Sequence, residues 1–122
     1  MKIEVLPMEF SVCKVADLSA ACPDGGVCFT GRTDGENSLV CETENAPDAA
    51  LAREDGWRAF RVAGELDFSL VGILARVASL LAGGGIPIFA VSTYNTDYIL
   101  VKAENLPPAL DLLRRDGWEV AG

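Results

Sequence analysis

Two segments sixty residues apart carry nearly the same text, and that repetition limits the possible folds more than any single motif does. Ser38–Pro47 reads SLVCETENAP and Tyr98–Pro107 reads YILVKAENLP in the same register. Phe29 and Thr33 likewise answer Phe89 and Thr93. At an offset of fifty, FSVCKVADLS (Phe10–Ser19) answers FRVAGELDFS (Phe60–Ser69), and one step beyond the offset of sixty EDGW at Glu54–Trp57 answers RDGW at Arg115–Trp118. Short apolar strands resemble one another by chance, but that does not explain ENxP and xDGW recurring in order. We read a duplicated strand–helix–strand–strand–helix–strand unit. The first copy has lost most of its first helix where the offset jumps, between Ser19 and Phe29.

Residue periodicity places the elements. In the first copy, Glu9–Val15, Val27–Arg32 and Ser38–Thr43 read as strands, with hairpin chemistry in TDGEN. Pro47 opens a short helix through DAALARED that Gly56 stops, and WRAFRV (Trp57–Val62) alternates as a strand shared by both copies. In the second copy, Leu70, Ile73, Leu74, Val77, Leu80 and Leu81 fall at helical spacing. Asp67 and Ser69 are N-cap candidates, and Gly83-Gly84-Gly85 stops the helix. Ile86–Val91 and Tyr98–Lys102 are strands on either side of the turn STYNTD. Pro107-Pro108 opens a second helix, Gly117 closes it, and Trp118–Val120 begins a last strand. The expected division is residues 1–56 and 57–122.

The bulk chemistry excludes several functions. The net charge of −8 offers no basic face for nucleic acid, and the absence of histidine removes the usual acid–base residue and metal ligand. Cys13, Cys22, Cys28 and Cys41 show no CxxC spacing. Three of them sit in apolar or alternating runs, so free, packed thiols are expected ahead of a disulfide or metal site. MKIEVLPMEF does not read as a signal peptide, and no apolar run is long enough to span a bilayer. A cytoplasmic protein without membrane contact is expected, and no metal, cofactor or catalytic residue is assigned.

A right-handed β-α-β crossover brings two polar stretches to one end of the sheet. The strand Trp57–Val62 ends where the helix near Ser69 begins, and the turn Ser92–Asp97 lies at that same edge. Free N–H groups of Ser69, Leu70 and Val71 then face Thr93, Asn95 and Asp97. A helix start favours a carboxylate, Gly72 permits close approach, and Glu65, Asp67 and Asp97 supply negative charge for a cation. That combination suits a free amino acid. Each residue also has a plain structural use: Asp67 or Ser69 as an N-cap, Asn95 and Asp97 as turn residues, Tyr94 as an edge aromatic. Gly72 fits the plain use least, because glycine within a helix costs about 1 kcal/mol relative to alanine.

The stretch LDFSLVGILARVASLLAGGGIPIFAVSTYNTDYILVKAENLPPALDLLRRDGWEV resembles the ACT domain of the CASTOR type, named after arginine sensors. The resemblance covers Trp57–Val120, and the preceding half is similar to a degenerate ACT-like segment. It implies an α+β fold of two ferredoxin-like βαββαβ halves with antiparallel sheets, the first lacking most of its first helix. It also implies amino-acid binding at the loop entering the first helix (Asp67, Phe68, Ser69, Leu70, Val71, Gly72) and at the ST-aromatic turn (Thr93, Tyr94, Asn95, Thr96, Asp97). Arginine is the first candidate, and a homodimer or a regulated protein partner is expected. The first half departs from the pattern, with Arg32-Thr33-Asp34-Gly35 in place of Ser92-Thr93-Tyr94-Asn95.

The leading expectation is therefore a non-catalytic, amino-acid-binding regulatory module. The alternative is an interaction or assembly module that kept the fold without the ligand. An enzyme is disfavoured. Phosphatases of this fold need an arginine after the first strand where GELDFS stands, and nothing marks a substrate pocket around Asp67 and Asp97.

Overall fold

Lys2-Ile3-Glu4-Val5 alternates as clearly as the residues from Glu9 onward, and the chain uses the whole stretch as one strand. A computed structural model describes residues 1–19, 21–22, 25–64 and 72–122. Its elements are β1 (Lys2–Val15), β2 (Cys28–Arg32), β3 (Asn37–Glu42), β4 (Ala52–Val62), α1 (Ile73–Gly83), β5 (Phe89–Ser92), β6 (Asp97–Lys102), α2 (Leu106–Arg115) and β7 (Glu119–Ala121). Short 3-10 turns follow β3 at Thr43–Asn45 and β6 at Ala103–Asn105. The fold is α+β and ferredoxin-like, with β4-α1-β5-β6-α2-β7 as the complete succession.

The chain forms two units, one of Met1–Pro7 with Arg58–Gly122 and one of Met8–Trp57. In the first, the strand order is β7-β1-β4-β6-β5, so the chain's own first residues lie between β4 and β7. β7 pairs with β1 in parallel, Ile3 opposite Val120, while β5 and β6 pair antiparallel, Phe89 opposite Leu100. One sheet face is covered by the helices. Ile3, Phe60, Val62, Ile99 and Val101 form a core there with Val77 and Leu81 of α1 and Ala109 and Leu113 of α2. Full burial of each large aliphatic side chain contributes about 1.5–3 kcal/mol.

Both helices stop on the same device. The Ile86 N–H donates to the Leu81 carbonyl and Gly85 N–H to Ala82, with Gly85 at φ +72°. Trp118 N–H to Leu113 and Gly117 N–H to Arg114 repeat it, with Gly117 at φ +94°. These are paired six-to-one and five-to-two bonds around a left-handed glycine, which satisfy the last carbonyls of each helix.

In the second unit the strand order is β2-β3-β1-β4, with β1 taking part from Met8 onward and β4 up to Trp57. Its core holds Cys13, Val15, Leu39 and Cys41, with Leu18, Ala21, Ala46 and Ala50 packed against it. The expected helix through DAALARED is absent. Thr43–Asn45 is a 3-10 turn, Ala50 N–H closes a turn onto the Pro47 carbonyl, and Leu51 N–H donates to Lys14 O as the chain enters β4. Eight residues without an apolar stripe are too few to hold a helix alone, so strand pairing wins. Gly56, expected as a helix stop, instead lies inside β4 at φ +83°.

A second expectation also fails. Cys22 and Cys28 form a disulfide, and only Cys13 and Cys41 are free, both buried. The absence of CxxC spacing was a poor guide because these two meet across a turn rather than along one element.

The offset of sixty survives in the strand ladders. Phe29 faces Val40 as Phe89 faces Leu100, and Arg32 faces Asn37 as Ser92 faces Asp97. The offset of fifty does not keep its phase. Cys13 faces Leu39 and Ser11 faces Cys41, so these residues share the core side and Phe10 falls on the other. Phe60, its sequence counterpart, lies in the core under the helices.

Candidate functional site

The β5–β6 turn is built by threonine. The Thr93 N–H donates to the Thr96 carbonyl at 2.8 Å, and the Thr93 hydroxyl donates to that carbonyl at 3.0 Å. The Thr96 N–H in turn donates to the Thr93 hydroxyl at 3.4 Å. At the turn's root the Ser92 hydroxyl donates to Asp97 Oδ1 at 2.6 Å. Tyr94, at the tip, is 76% exposed. The second unit keeps part of this turn, with Thr33 N–H to Glu36 O at 2.9 Å, but has Glu36 where Thr96 stands.

That substitution matters because Thr96 is the anchor. Its side chain is 7% exposed, and its hydroxyl donates to the Val62 carbonyl at 2.7 Å. The turn is therefore fastened to the end of β4, where the connection to α1 departs. Thr96 spends its proton on the fold and has none to offer a ligand.

On the other side of the expected site, Asp67, Phe68, Ser69, Leu70 and Val71 lie outside the described residues, as does Glu65. Gly72 is described, and it corrects the position of the helix start. α1 begins at Ile73, not near Ser69, and Gly72 precedes it at φ +82° with its carbonyl accepting from Arg76 N–H at 2.8 Å. A left-handed residue cannot continue a right-handed helix, so Gly72 is its boundary and not part of its first turn. The first-turn donors are then the N–H groups of Ile73, Leu74 and Ala75, and no side chain among the described residues caps them.

A cavity of about 230 Å³ opens where the turn meets β4, lined by Glu4, Arg61, Val62, Gly64, Asn95, Thr96 and Tyr98. Asn95 and Thr96 were expected in the site; Glu4, Arg61, Gly64 and Tyr98 were not. Thr93, Tyr94 and Asp97 are not among its lining residues. Strand alternation explains the division, since Asp97 and Tyr98 are successive residues of β6 and project to opposite faces. Arg61 Nε donates to Glu4 at 3.3 Å and Nη1 donates to the Tyr98 hydroxyl at 3.1 Å, with the guanidinium 5.8 Å from the Tyr98 ring centroid. The Tyr98 hydrogen bond, followed by the attraction of Tyr98 and Glu4, raises the Arg61 pKa above the ordinary guanidinium value. The signal for Arg61 was present in WRAFRV, where it points away from Phe60 and Val62. Its partners lie on other strands and could not be read from that segment.

Chemically, the cavity offers the Arg61 cation, the Glu4 carboxylate and the Asn95 amide on the sheet face away from the helices, while the α1 entrance offers helix-start donors and Asp97 lies on the helix-covered face. Among the described residues no three His, Cys, Asp or Glu side chains gather to hold a metal, and no helix is long and apolar enough to cross a membrane.

Comparison with known proteins adds a lineage. A family model described as an ACT domain matches residues 52–115. The chain is 31% identical over 121 residues to the human cytosolic arginine sensor for mTORC1 subunit 1, covering 93% of this chain and 37% of that protein. It thus spans little more than a third of that relative's length. In three dimensions, protein Atu0741 from Agrobacterium tumefaciens matches with a TM-score of 0.84 and 32% identity, over 98% of this chain and 90% of that one. The regulatory subunit of aspartate kinase from Thermus thermophilus matches with a TM-score of 0.66 at 10% identity, over 94% and 96%, a likeness of fold.

Proposed function

The chain belongs to the ACT domain family, and we propose that it is a non-catalytic regulatory module that binds a free amino acid where the β5–β6 turn meets the β4–α1 connection. The observation that carries this reading is the Thr96–Val62 bond beside a cavity holding Arg61 and Glu4. It fastens a polar turn to the strand end that leads into a helix whose first-turn donors are capped by no side chain among the described residues. The ligand's carboxylate lies at the entrance of α1, with Asp67–Gly72 around it, and its cationic end is drawn to Asp97, which shares the helix-covered face of the sheet with Ile99. Thr93, Tyr94, Asn95 and Thr96 form the opposing wall.

Arginine is the first ligand to try, because the sensor named above is described by it. The two halves, 1–56 and 57–122, descend from one duplicated unit, as the sixty-residue offset in the ladders suggests. The module works in the cytoplasm as a homodimer or on a protein partner, passing on whether its site is filled.

A thermal-shift screen of the twenty amino acids tests the reading. A ligand at a hundred times its Kd adds about 2.7 kcal/mol of stability. The expected result is a clear rise with at least one amino acid, diminished in Asp97→Ala and Arg61→Gln. A folded protein that responds to none of them would instead be an assembly module, to which the exposed Tyr94 at the turn tip is suited.

A further inference from the structure

Three adjacent strands of the Met8–Trp57 unit place three cysteines on one sheet face. In the β2–β3 ladder Cys28 lies directly opposite Cys41. In the β1–β3 ladder Cys13 is opposite Leu39, which makes it the diagonal neighbour of Cys41. Cys13, Cys41 and Cys28 pack in one cluster, and Cys28 is joined to Cys22 by the disulfide. The four cysteines follow one another as neighbours in the order Cys13, Cys41, Cys28, Cys22. Directly opposed residues of antiparallel strands have Cα atoms about 4.5–5.5 Å apart, within the range of about 4.4–6.8 Å that a disulfide spans. A Cys28–Cys41 bond therefore needs no movement of the sheet.

We propose that Cys41 is a resolving thiol for the Cys22–Cys28 disulfide, so that this unit exchanges between two internal disulfides and exposes a reactive thiol at Cys22. The Cys41 thiol gives its proton to solvent, and the thiolate attacks Sγ of Cys28. The Cys28–Cys41 bond forms as the Cys22–Cys28 bond breaks, and Cys22 leaves as a thiolate that takes up a proton. One disulfide and two thiols are present before and after, so no oxidant or reductant is consumed.

The two states differ in what they present. Cys41 is 1% exposed, shielded from large reagents, whereas Cys22 is exposed. Exchange moves the free thiol from the core to the surface, where low-molecular-mass disulfides and electrophiles reach it. It also unties Cys22 from Cys28 at the start of β2. Ala21, next to it, lines a cavity of about 250 Å³ with Val15, Ala16, Asp17, Leu39 and Pro47.

Burial holds the Cys41 thiol up at about 11, with Cys13 on β1 and Glu42 on β3 also raising it and Arg53 on β4 opposing them. Exchange thus gains about tenfold in rate per pH unit while the solution stays below that value.

The test is disulfide mapping. The protein is oxidised with oxidised glutathione, desalted, held without added thiol at pH 7 and pH 9.5, alkylated, and digested without reduction. The expected result is a Cys28–Cys41 linkage with alkylated Cys22, forming more than a hundred times faster at pH 9.5 than at pH 7. Cys41→Ser should keep Cys22–Cys28 and leave Cys22 unlabelled, whereas Cys13→Ser should still exchange. Cys22→Ser, oxidised the same way, should form Cys28–Cys41. The proposal is overturned by any of three results: Cys22–Cys28 as the sole linkage at both pH values, a Cys13–Cys41 linkage, or four free thiols after oxidation.

Discussion

Replacing Thr96 by valine removes one hydroxyl and keeps the side chain's shape, so it isolates the bond on which the site's architecture rests. The Thr96 hydroxyl donates to the Val62 carbonyl at 2.7 Å, and both residues are buried, at 7% and 1% exposure. Losing a donor from a buried carbonyl costs about 1–3 kcal/mol, while the added methyl returns about 0.8 kcal/mol. A net destabilisation of about 0.2–2 kcal/mol follows. For a chain of 122 residues, at about 4 °C per kcal/mol, the melting midpoint should fall by about 1–9 °C. Thr96→Ser keeps the donor and should fall less. Differential scanning fluorimetry reads the stability, and calorimetric titration with L-arginine reads the site. The valine variant should bind more than tenfold more weakly, about 1.4 kcal/mol. A midpoint within a degree of the parent, or serine behaving like valine, would refute the claim that this hydroxyl fastens the turn.

Other outcomes follow from the same coordinates. Gly72→Ala places a side chain at φ +82° with none of the described residues within 4 Å of it, so backbone strain opposes it; a loss of about 1–2 kcal/mol is expected in urea denaturation. Hydrogen bonding from Arg76, with a further bond from the Trp118 indole, holds the Asp116 carboxyl below its ordinary value. Its contribution is present above the unfolded carboxylate pKa, about 3.9, and is lost as the solution is acidified through the lower folded value. Asp116→Asn should therefore flatten the stability profile below about pH 4, measured by denaturation at stepped pH. Gly84→Ala would bring its Cβ to 2.5 Å from Leu112 Cδ1, so α1 and α2 should loosen, with a lower melting midpoint.

The second half was legible because several signals agreed there. The α1 stripe of Val77 and Leu81, the triple glycine and the apolar run Tyr98–Lys102 each named the element the chain forms, the last beginning one residue earlier, at Asp97. The first half was harder where local preference and partner strands disagreed. DAALARED looks helical by composition, yet Leu51 N–H goes to Lys14, 64% of Leu51 stays exposed, and the chain extends into β4. Lys2–Leu6 became a strand because β7, more than a hundred residues later, pairs with it. In the candidate site, Asn95 and Thr96 could be found from the turn motif. Arg61 and Tyr98 meet only across strands, and Glu4 arrives from the other end of the chain. The Gly72 boundary was misplaced because helical spacing on either side of it hides a left-handed φ.

The most direct measurement is a nitrogen-15 heteronuclear NMR titration of the assigned protein, beginning with L-arginine and extending to the other nineteen amino acids. If a small zwitterion sits at this end of the sheet, the amides of Gly64, Gly72, Ile73, Asn95 and Asp97 should shift together and saturate with one Kd. Twenty ligands that move none of them, or shifts confined to residues 8–57, would contradict the account.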